Sequence, residues 1–221
     1  MEIKVYENIM KANDQIAQQI RKTLDKHNIF AVNFISSPGG GKTTLLEAII
    51  PKLQSKKIRV GAIEGDLATT NDAERIKRLK IPVVQINTGS GCHLDANILL
   101  KPVHDLPLDN IDLLIIENVG NLVCPTGFYL GENIKIGLIS VPEGDDKPLK
   151  YPLIFNVAEA IILNKIDLLP YTNFKKEKFY KYCKQLNPNI KIFETSATKN
   201  IGIEKIVNWL LEISSNLKLN Q

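Results

Sequence analysis

Residues 36–44 read Ser36-Ser37-Pro38-Gly39-Gly40-Gly41-Lys42-Thr43-Thr44, and no other stretch restricts the possible folds as tightly. They follow an apolar run, Ile29-Phe30-Ala31-Val32-Asn33-Phe34-Ile35, and lead into a helical pattern, Leu45-Leu46-Glu47-Ala48-Ile49-Ile50. A strand, a glycine-rich turn and a Gly-Lys-Thr that opens a helix are the parts of a phosphate-binding P-loop. Glycines let backbone N–H groups turn inward around a phosphate chain, and the helix N-terminus adds unpaired donors and partial positive charge. Gly39, Gly40, Gly41, Lys42, Thr43 and Thr44 are therefore candidate phosphate-binding residues. Lys42 would reach the terminal phosphates and the Thr43 hydroxyl would ligate Mg²⁺. One position departs from the GxxxxGK[ST] pattern: its first glycine falls on Ser36.

The rest of the chain alternates strand and helix patterns. An amphipathic helix is expected over residues 8–27, with Ile9, Ile16, Ile20 and Leu24 on its apolar face. Strands are expected at Ile58–Ile63, Ile81–Ile86, Ile111–Ile116, Ile134–Val141, Ala160–Leu163 and Ile190–Phe193. Helices are expected at Asp72–Lys80, at Asp95–Lys101 with Pro102 ending it, at Asn173–Leu186 and at Ile203–Ile213. This order implies an α/β fold, a P-loop NTPase with a mostly parallel central sheet and helices on both faces. Residues 1–28 read as an N-terminal helical extension and 29–221 as one P-loop domain. Ligands of such sheets bind beyond the C-terminal ends of the strands, where every motif below falls. A net charge of +4 gives no argument for nucleic acid or a membrane surface as partner. No apolar stretch approaches the roughly 18–20 residues that span a bilayer, and Met1–Glu7 lacks a signal-peptide pattern, so a cytoplasmic location is expected.

Asn164-Lys165-Ile166-Asp167 follows the run Ala160–Leu163 and has the NKxD form. A carboxylate at Asp167 can accept from the N1–H and exocyclic amine of guanine, a donor pair that adenine lacks. Asn164 would contact the base and brace the P-loop, while the stem of Lys165 covers the ring face. Thr195-Ser196-Ala197 resembles the loop whose backbone N–H meets guanine O6 in GTPases, which adds Ser196 and Ala197 to the nucleotide-binding set. Asp66 and Glu117 each close a strand, where carboxylates can hold Mg²⁺ together with Thr43. Glu117-Asn118-Val119-Gly120 looks like a DxxG switch with Glu for Asp, so Gly120 N–H would sense the γ-phosphate. Lys42, Asp66, Asp72, Glu117 and Gly120 make up the candidate catalytic set, with either Asp66 or Asp72 acting on the attacking water.

Gly91-Cys92-His93 and Cys124 supply a thiolate beside an imidazole and a second thiolate elsewhere. Such donors suit Zn²⁺ or Ni²⁺ and not Mg²⁺ or Ca²⁺. Three soft ligands per chain leave one position to a water, another residue or a second chain. Cys124 also lies in the loop of Gly120, so movement of that loop on hydrolysis would change the metal geometry. Cys183 falls inside an expected helix and reads as a packing residue.

Together these segments resemble the GTPases that insert nickel during hydrogenase maturation. The resemblance rests on the P-loop, Glu64-Gly65-Asp66, Gly91–Ala96, Glu117-Asn118-Val119-Gly120-Asn121-Leu122-Val123-Cys124-Pro125, Pro142–Lys147 and Asn164–Asp167. The chain is also similar to urease nickel-insertion GTPases, which typically carry Cys-Pro-His; Gly-Cys-His here favours the hydrogenase branch. The resemblance implies GTP-dependent homodimerisation, nickel or zinc on Cys92, His93 and Cys124 at or near the subunit interface, and Lys147 in a segment close to the partner's nucleotide. It also implies a nickel-accepting maturation partner or the hydrogenase large subunit as recipient. A histidine-rich nickel store and an N-terminal cysteine-rich motif, present in some relatives, are not at the start of this sequence. The expected activity is thus that of a slow Mg²⁺-dependent GTPase, binding GTP and GDP, in which GTP favours a nickel-holding dimer and hydrolysis releases the nickel to a partner. The competing readings are a metal-independent regulatory GTPase, a urease-type nickel-insertion GTPase and, less well matched by NKID, a small-molecule P-loop kinase.

Overall fold

The computed structural model describes residues 8–67 and 70–219. Met1–Glu7, where the signal-peptide reading falls, and the side chain of Ile9 lie outside the described residues. Seven strands form one sheet in the order β3-β2-β4-β1-β5-β6-β7. They are β1 (Phe30–Ser36), β2 (Val60–Asp66), β3 (Val83–Asn87), β4 (Leu113–Glu117), β5 (Ile134–Ser140), β6 (Ala160–Asn164) and β7 (Lys191–Glu194), and every ladder between them is parallel. β1 is buried along its whole length, as a central strand covered on both faces must be.

Period-2 alternation sends Phe30, Val32 and Phe34 to one face and Ala31, Asn33 and Ile35 to the other. On the first face α2 (Lys42–Ser55), α3 (Asn71–Lys77) and α8 (Ile203–Leu219) close a core that includes Leu45, Ile49, Ile76, Ile206 and Trp209. The second face is shared by two groups of helices. α1 (Asn8–Lys26) and α4 (Ala96–Asp105) bury Ala17, Ile20, Leu24, Leu99 and Val103 against Ala31, Leu114 and Ile116. α6 (Pro152–Val157) and α7 (Lys176–Leu186) bury Ile154, Phe155, Phe179 and Cys183 against Ile35, Ile139 and Ile161. α5 (Lys147–Lys150) is a single turn before α6.

Three boundaries differ from expectation for identifiable reasons. α4 continues through Pro102 to Asp105 because Leu99 and Val103 are both fully buried. That burial outweighs the roughly 3 kcal/mol that an interior proline costs. β3 starts at Val83 and not at Ile81, since Pro82 has no N–H to donate to a ladder, although its carbonyl accepts from Ala62 at 2.9 Å. α7 starts at Lys176 and not at Asn173, with Phe174 left outside to pack on the Phe179 ring at 5.4 Å.

β1 lies between β4 and β5: the chain runs from β1 to β2 on one side of it and later crosses from β4 to β5 on the other, so the winding reverses there. A crevice forms at such a switch point, beyond the strand ends, and the P-loop occupies it.

Candidate functional site

The P-loop is shaped by two glycines with left-handed backbone, Gly39 (φ 71°) and Gly41 (φ 94°). A methyl group on Gly41 would stand 2.8 Å from Asn164 Nδ2, so both its backbone angle and its neighbour require glycine. Ser36 has a defined place at the departure from the sequence pattern. It is fully buried, its hydroxyl donates to Ser37 O at 2.7 Å, and it accepts from Lys42 Nζ at 3.0 Å. A cleft of about 310 Å³ opens over the loop, lined by Gly39, Gly41, Lys42, Thr43 and Thr44 and by Asp72, Arg75, Glu117 and Lys165. Arg75 is fixed in its wall by Glu47 (2.6 Å), Thr44 Oγ1 (3.0 Å) and Asp72 (3.1 Å).

Parallel register places Glu64 of β2 beside Glu117 of β4, and both are buried. Thr43 Oγ1 donates to Glu117 Oε1 at 2.8 Å. Oε2 of Glu64 and Oε2 of Glu117 are buried with no hydrogen-bond partner. Carboxylate oxygens of Glu64, Asp72 and Glu117 all come within 4.8 Å of one another. Burial first, and then the Glu117 charge beside it, push Glu64 far above the ordinary carboxylate range. Burial also raises Glu117, and the Lys42 ammonium acts against it. Such a pair is stable either holding a proton or holding a cation, and an all-oxygen donor set suits a hard ion of the Mg²⁺ type. Asp66, expected in this corner from its place at the strand end, is not one of the three acids. It sits two residues further along β2, where its Oδ1 accepts from Leu67 N–H at 2.7 Å. The sequence did contain the relevant signal, an acid at position 64 on the same strand face, but did not say which of the two lies level with Glu117.

Asn164 ties the base loop to the phosphate loop. Its Nδ2 donates to Gly40 O at 3.2 Å, and its Oδ1 accepts from Thr195 Oγ1 at 3.0 Å and Ala197 N–H at 3.3 Å. Lys165, in left-handed backbone (φ 58°), lays its Nζ on Gly39 O at 2.6 Å. Asp167 stands in the first turn of the 3-10 segment Ile166–Tyr171. Ser196 is buried and bridges to Ile201. In the same loop, expected to offer a backbone N–H to the base, the N–H of Ala197 donates to Asn164 Oδ1.

Donor atoms of Cys92, His93 and Cys124 also lie within 4.8 Å of one another. Cys92 is exposed, its Sγ is 3.5 Å from His93 Nδ1, and the His93 ring packs on Phe128 with centroids 4.1 Å apart. The Cys124 sulfhydryl beside it, more than burial, raises the Cys92 thiol. Cys124 opens a 3-10 turn, Cys124–Gly127, four residues after Gly120. Gly120 touches the P-loop: a methyl there would stand 3.1 Å from Pro38 Cα. One short loop thus contacts the phosphate cradle at one end and carries a metal-type ligand at the other. Lys147 is turned onto its own chain, 3.6 Å from Glu143 Oε2 and 4.9 Å over the Tyr151 ring.

The family description "CobW/HypB/UreG, nucleotide-binding domain" matches residues 30–194. The chain belongs to that family. Hydrogenase maturation factor HypB of Escherichia coli K12 is 45% identical over 208 residues, which cover 94% of this chain and 71% of that protein. The hydrogenase/urease maturation factor HypB of Helicobacter pylori J99 is 40% identical over 216 residues, 96% of this chain and 88% of that protein. The solved structure of HypB from Helicobacter pylori in complex with nickel superposes with a TM-score of 0.87 at 40% identity, covering 93% of this chain and 96% of that one. The resemblance read from the motifs and the P-loop α/β fold are both borne out. For the CobW/HypB/UreG domain the match begins at Phe30, the first residue of β1, so α1 precedes the matched segment.

Proposed function

We propose that this chain is a GTP-hydrolysing metallochaperone that carries Ni²⁺ to a hydrogenase precursor or to a maturation protein acting on it. The observation that carries this reading is the loop Glu117–Cys124, which spans the space between the acidic corner, Pro38 of the P-loop and the soft ligand cluster. The names of the relatives, and nickel in one of their structures, support it.

The nucleotide half would work by positioning and charge. Backbone N–H groups of Gly39–Thr44 surround the phosphates and Lys42, released from Ser36, pairs with the terminal ones. Thr43, Glu117 and Glu64 would hold Mg²⁺, with Glu64 taking the place first given to Asp66. The unpartnered oxygens of the two glutamates fit that role. Bound there, Mg²⁺ neutralises charge on the phosphate oxygens. Asp72, on the cleft wall, orients the attacking water, and Gly120 N–H reads the γ-phosphate. Asp167 selects guanine.

The metal half takes nickel as cargo. Cys92, His93 and Cys124 give three ligands, and a second copy of the chain completes the site. Leu149, Leu153 and Val157 support a homodimer. They are 57%, 49% and 41% exposed; Leu149 lies in α5, Leu153 and Val157 lie one turn apart on α6, and α6 packs against the Cys124–Gly127 turn. A cytoplasmic setting follows from the need for GTP, and among the described residues no helix is long and apolar enough to cross a membrane.

Release on hydrolysis requires different nickel affinities in the two nucleotide states, about 2.7 kcal/mol for a hundredfold change. Nickel dissociation constants measured with GDP and with a non-hydrolysable GTP analogue test the reading. Equal values would overturn it. In cells, Cys92→Ala and Cys124→Ala should lower hydrogenase activity, with recovery in excess nickel.

A further inference from the structure

Two asparagines hold the loop that joins the two sites, and they differ in what they are attached to. Asn118 is fully buried. Its Nδ2 donates to Asn33 Oδ1 on β1 at 3.3 Å, and its Oδ1 accepts from Leu94 N–H at 3.1 Å and Val119 N–H at 3.0 Å. It fastens both ligand loops to the sheet at their roots. On the other side of Cys92, Thr88 N–H donates to Asp66 O at 2.8 Å, and Thr88 Oγ1 bonds Gly91 O at 2.7 Å. The Cys92 loop is therefore anchored at Gly91 and Leu94, with Cys92 and His93 between the anchors.

Asn121 comes after the Gly120–Pro38 contact. Its Oδ1 accepts from Val123 N–H at 2.8 Å, which shapes the turn leading into Cys124. Its Nδ2 donates to the backbone carbonyl of Cys92 at 3.3 Å. One side chain thus spans from the loop that touches the phosphate cradle to the backbone of a ligand on the other loop.

We infer that Asn121 is the positioning residue that transmits nucleotide state to the nickel site, by moving Cys92 relative to Cys124 when Gly120 leaves or approaches Pro38. The inference rests on the metallochaperone reading above. It assigns Asn121 no contact with GTP or with the metal. A displacement of Gly120 carries Asn121 with it. The amide either keeps its bond to Cys92 and drags the ligand along, or loses it and lets the loop relax between its two anchors. In both cases the spacing of the three donor atoms changes, and with it the affinity for a cation that needs fixed geometry.

The experiment uses the full chain. Ni²⁺ dissociation constants are measured by competition with a chromophoric chelator, with GDP and with a non-hydrolysable GTP analogue, on wild type, Asn121→Ala and Asn121→Asp. Alanine removes both bonds. Aspartate keeps the acceptor for Val123 and removes the donor to Cys92. The expected result is a nucleotide-dependent affinity ratio in wild type that collapses towards one in both variants. GTP hydrolysis should keep its kcat and KM to within about threefold. A wild-type ratio preserved in both variants overturns the inference and leaves the metallochaperone reading standing. Collapse in alanine with preservation in aspartate also overturns it, since the turn and not the bridge would then be responsible. A ratio of one in the wild type removes the reading and this inference together.

Discussion

Glu64 and Glu117 face each other across the β2–β4 ladder, each with one oxygen that nothing in the chain satisfies. Replacing Glu64 by its amide keeps the shape and removes the cost of a carboxyl that burial and Glu117 force to hold a proton in the folded state. Glu64→Gln should therefore stabilise the metal-free protein by about 1–3 kcal/mol while weakening Mg²⁺ binding tenfold or more, by roughly the charge-assisted ligand it removes. Thermal unfolding with and without Mg²⁺ checks both signs. Gly41→Ala meets Asn164 Nδ2 at 2.8 Å in a left-handed backbone and should abolish tight nucleotide binding, as read by titration with a fluorescent GDP. Cys183 is fully buried, and burial pushes its thiol up to about 12. Because the folded value lies above the ordinary one of about 8.5, this group's contribution to stability is intact below that value and declines as pH rises towards the folded one. Under native conditions at pH 8 a thiol reagent should modify Cys92 and Cys124 and spare Cys183, which a mass count of added groups decides. At this scale the sequence named chemistry more readily than position. Lys42, Thr43 and Asn164 could be read from their motif. Glu64 could not be separated from Asp66, because two residues of strand set which acid lies level with Glu117, and register is not written in the local sequence.

α1 has no place in the phosphate chemistry, yet it is built into the molecule. Ala17, Ile20 and Leu24 are fully buried, and Arg21 bonds the carbonyls of Gly131 (2.9 Å) and Ile29 (2.9 Å) and Asn133 Oδ1 (2.6 Å). The boundary drawn after residue 28 is thus proposed as a limit of sequence motif and not as a place to cut. Leu24→Ala should cost about 2–5 kcal/mol, measured by denaturant unfolding, the range for emptying a fully buried leucine site. The central strands were legible because β1, β2, β4, β5 and β6 are largely buried runs, while the edge strands β3 and β7 are only partly covered and were read from shorter apolar stretches. α5 and α6 were not, since each is under two turns long, carries a proline in its first two positions and buries few side chains. Their helicity comes from packing on β5 and α7, which no local pattern announces.

Across the whole molecule, phosphate cradle, acidic corner and soft ligand cluster all sit at or beyond the C-terminal ends of parallel strands, as the alternation of elements implied. The sequence could not show that apolar side chains are exposed on the helices beside the Cys124–Gly127 turn. Leu149 lies in α5 and Leu153 and Val157 lie in α6, and all three are exposed. Substituting Leu149→Asp with Leu153→Asp should keep the chain monomeric with nickel and the GTP analogue, as seen by sedimentation, while GTP binding per chain persists. The bonds of Asn164 carry a further consequence. Because that side chain joins the Gly40 carbonyl to Thr195 and Ala197 through bonds within the chain, the phosphate loop and the base loop are fixed to one another by the fold itself. Little ordering is then left for the moment of encounter. GTP and GDP should enter at similar, near-collision rates, and what tells them apart will be how long each stays.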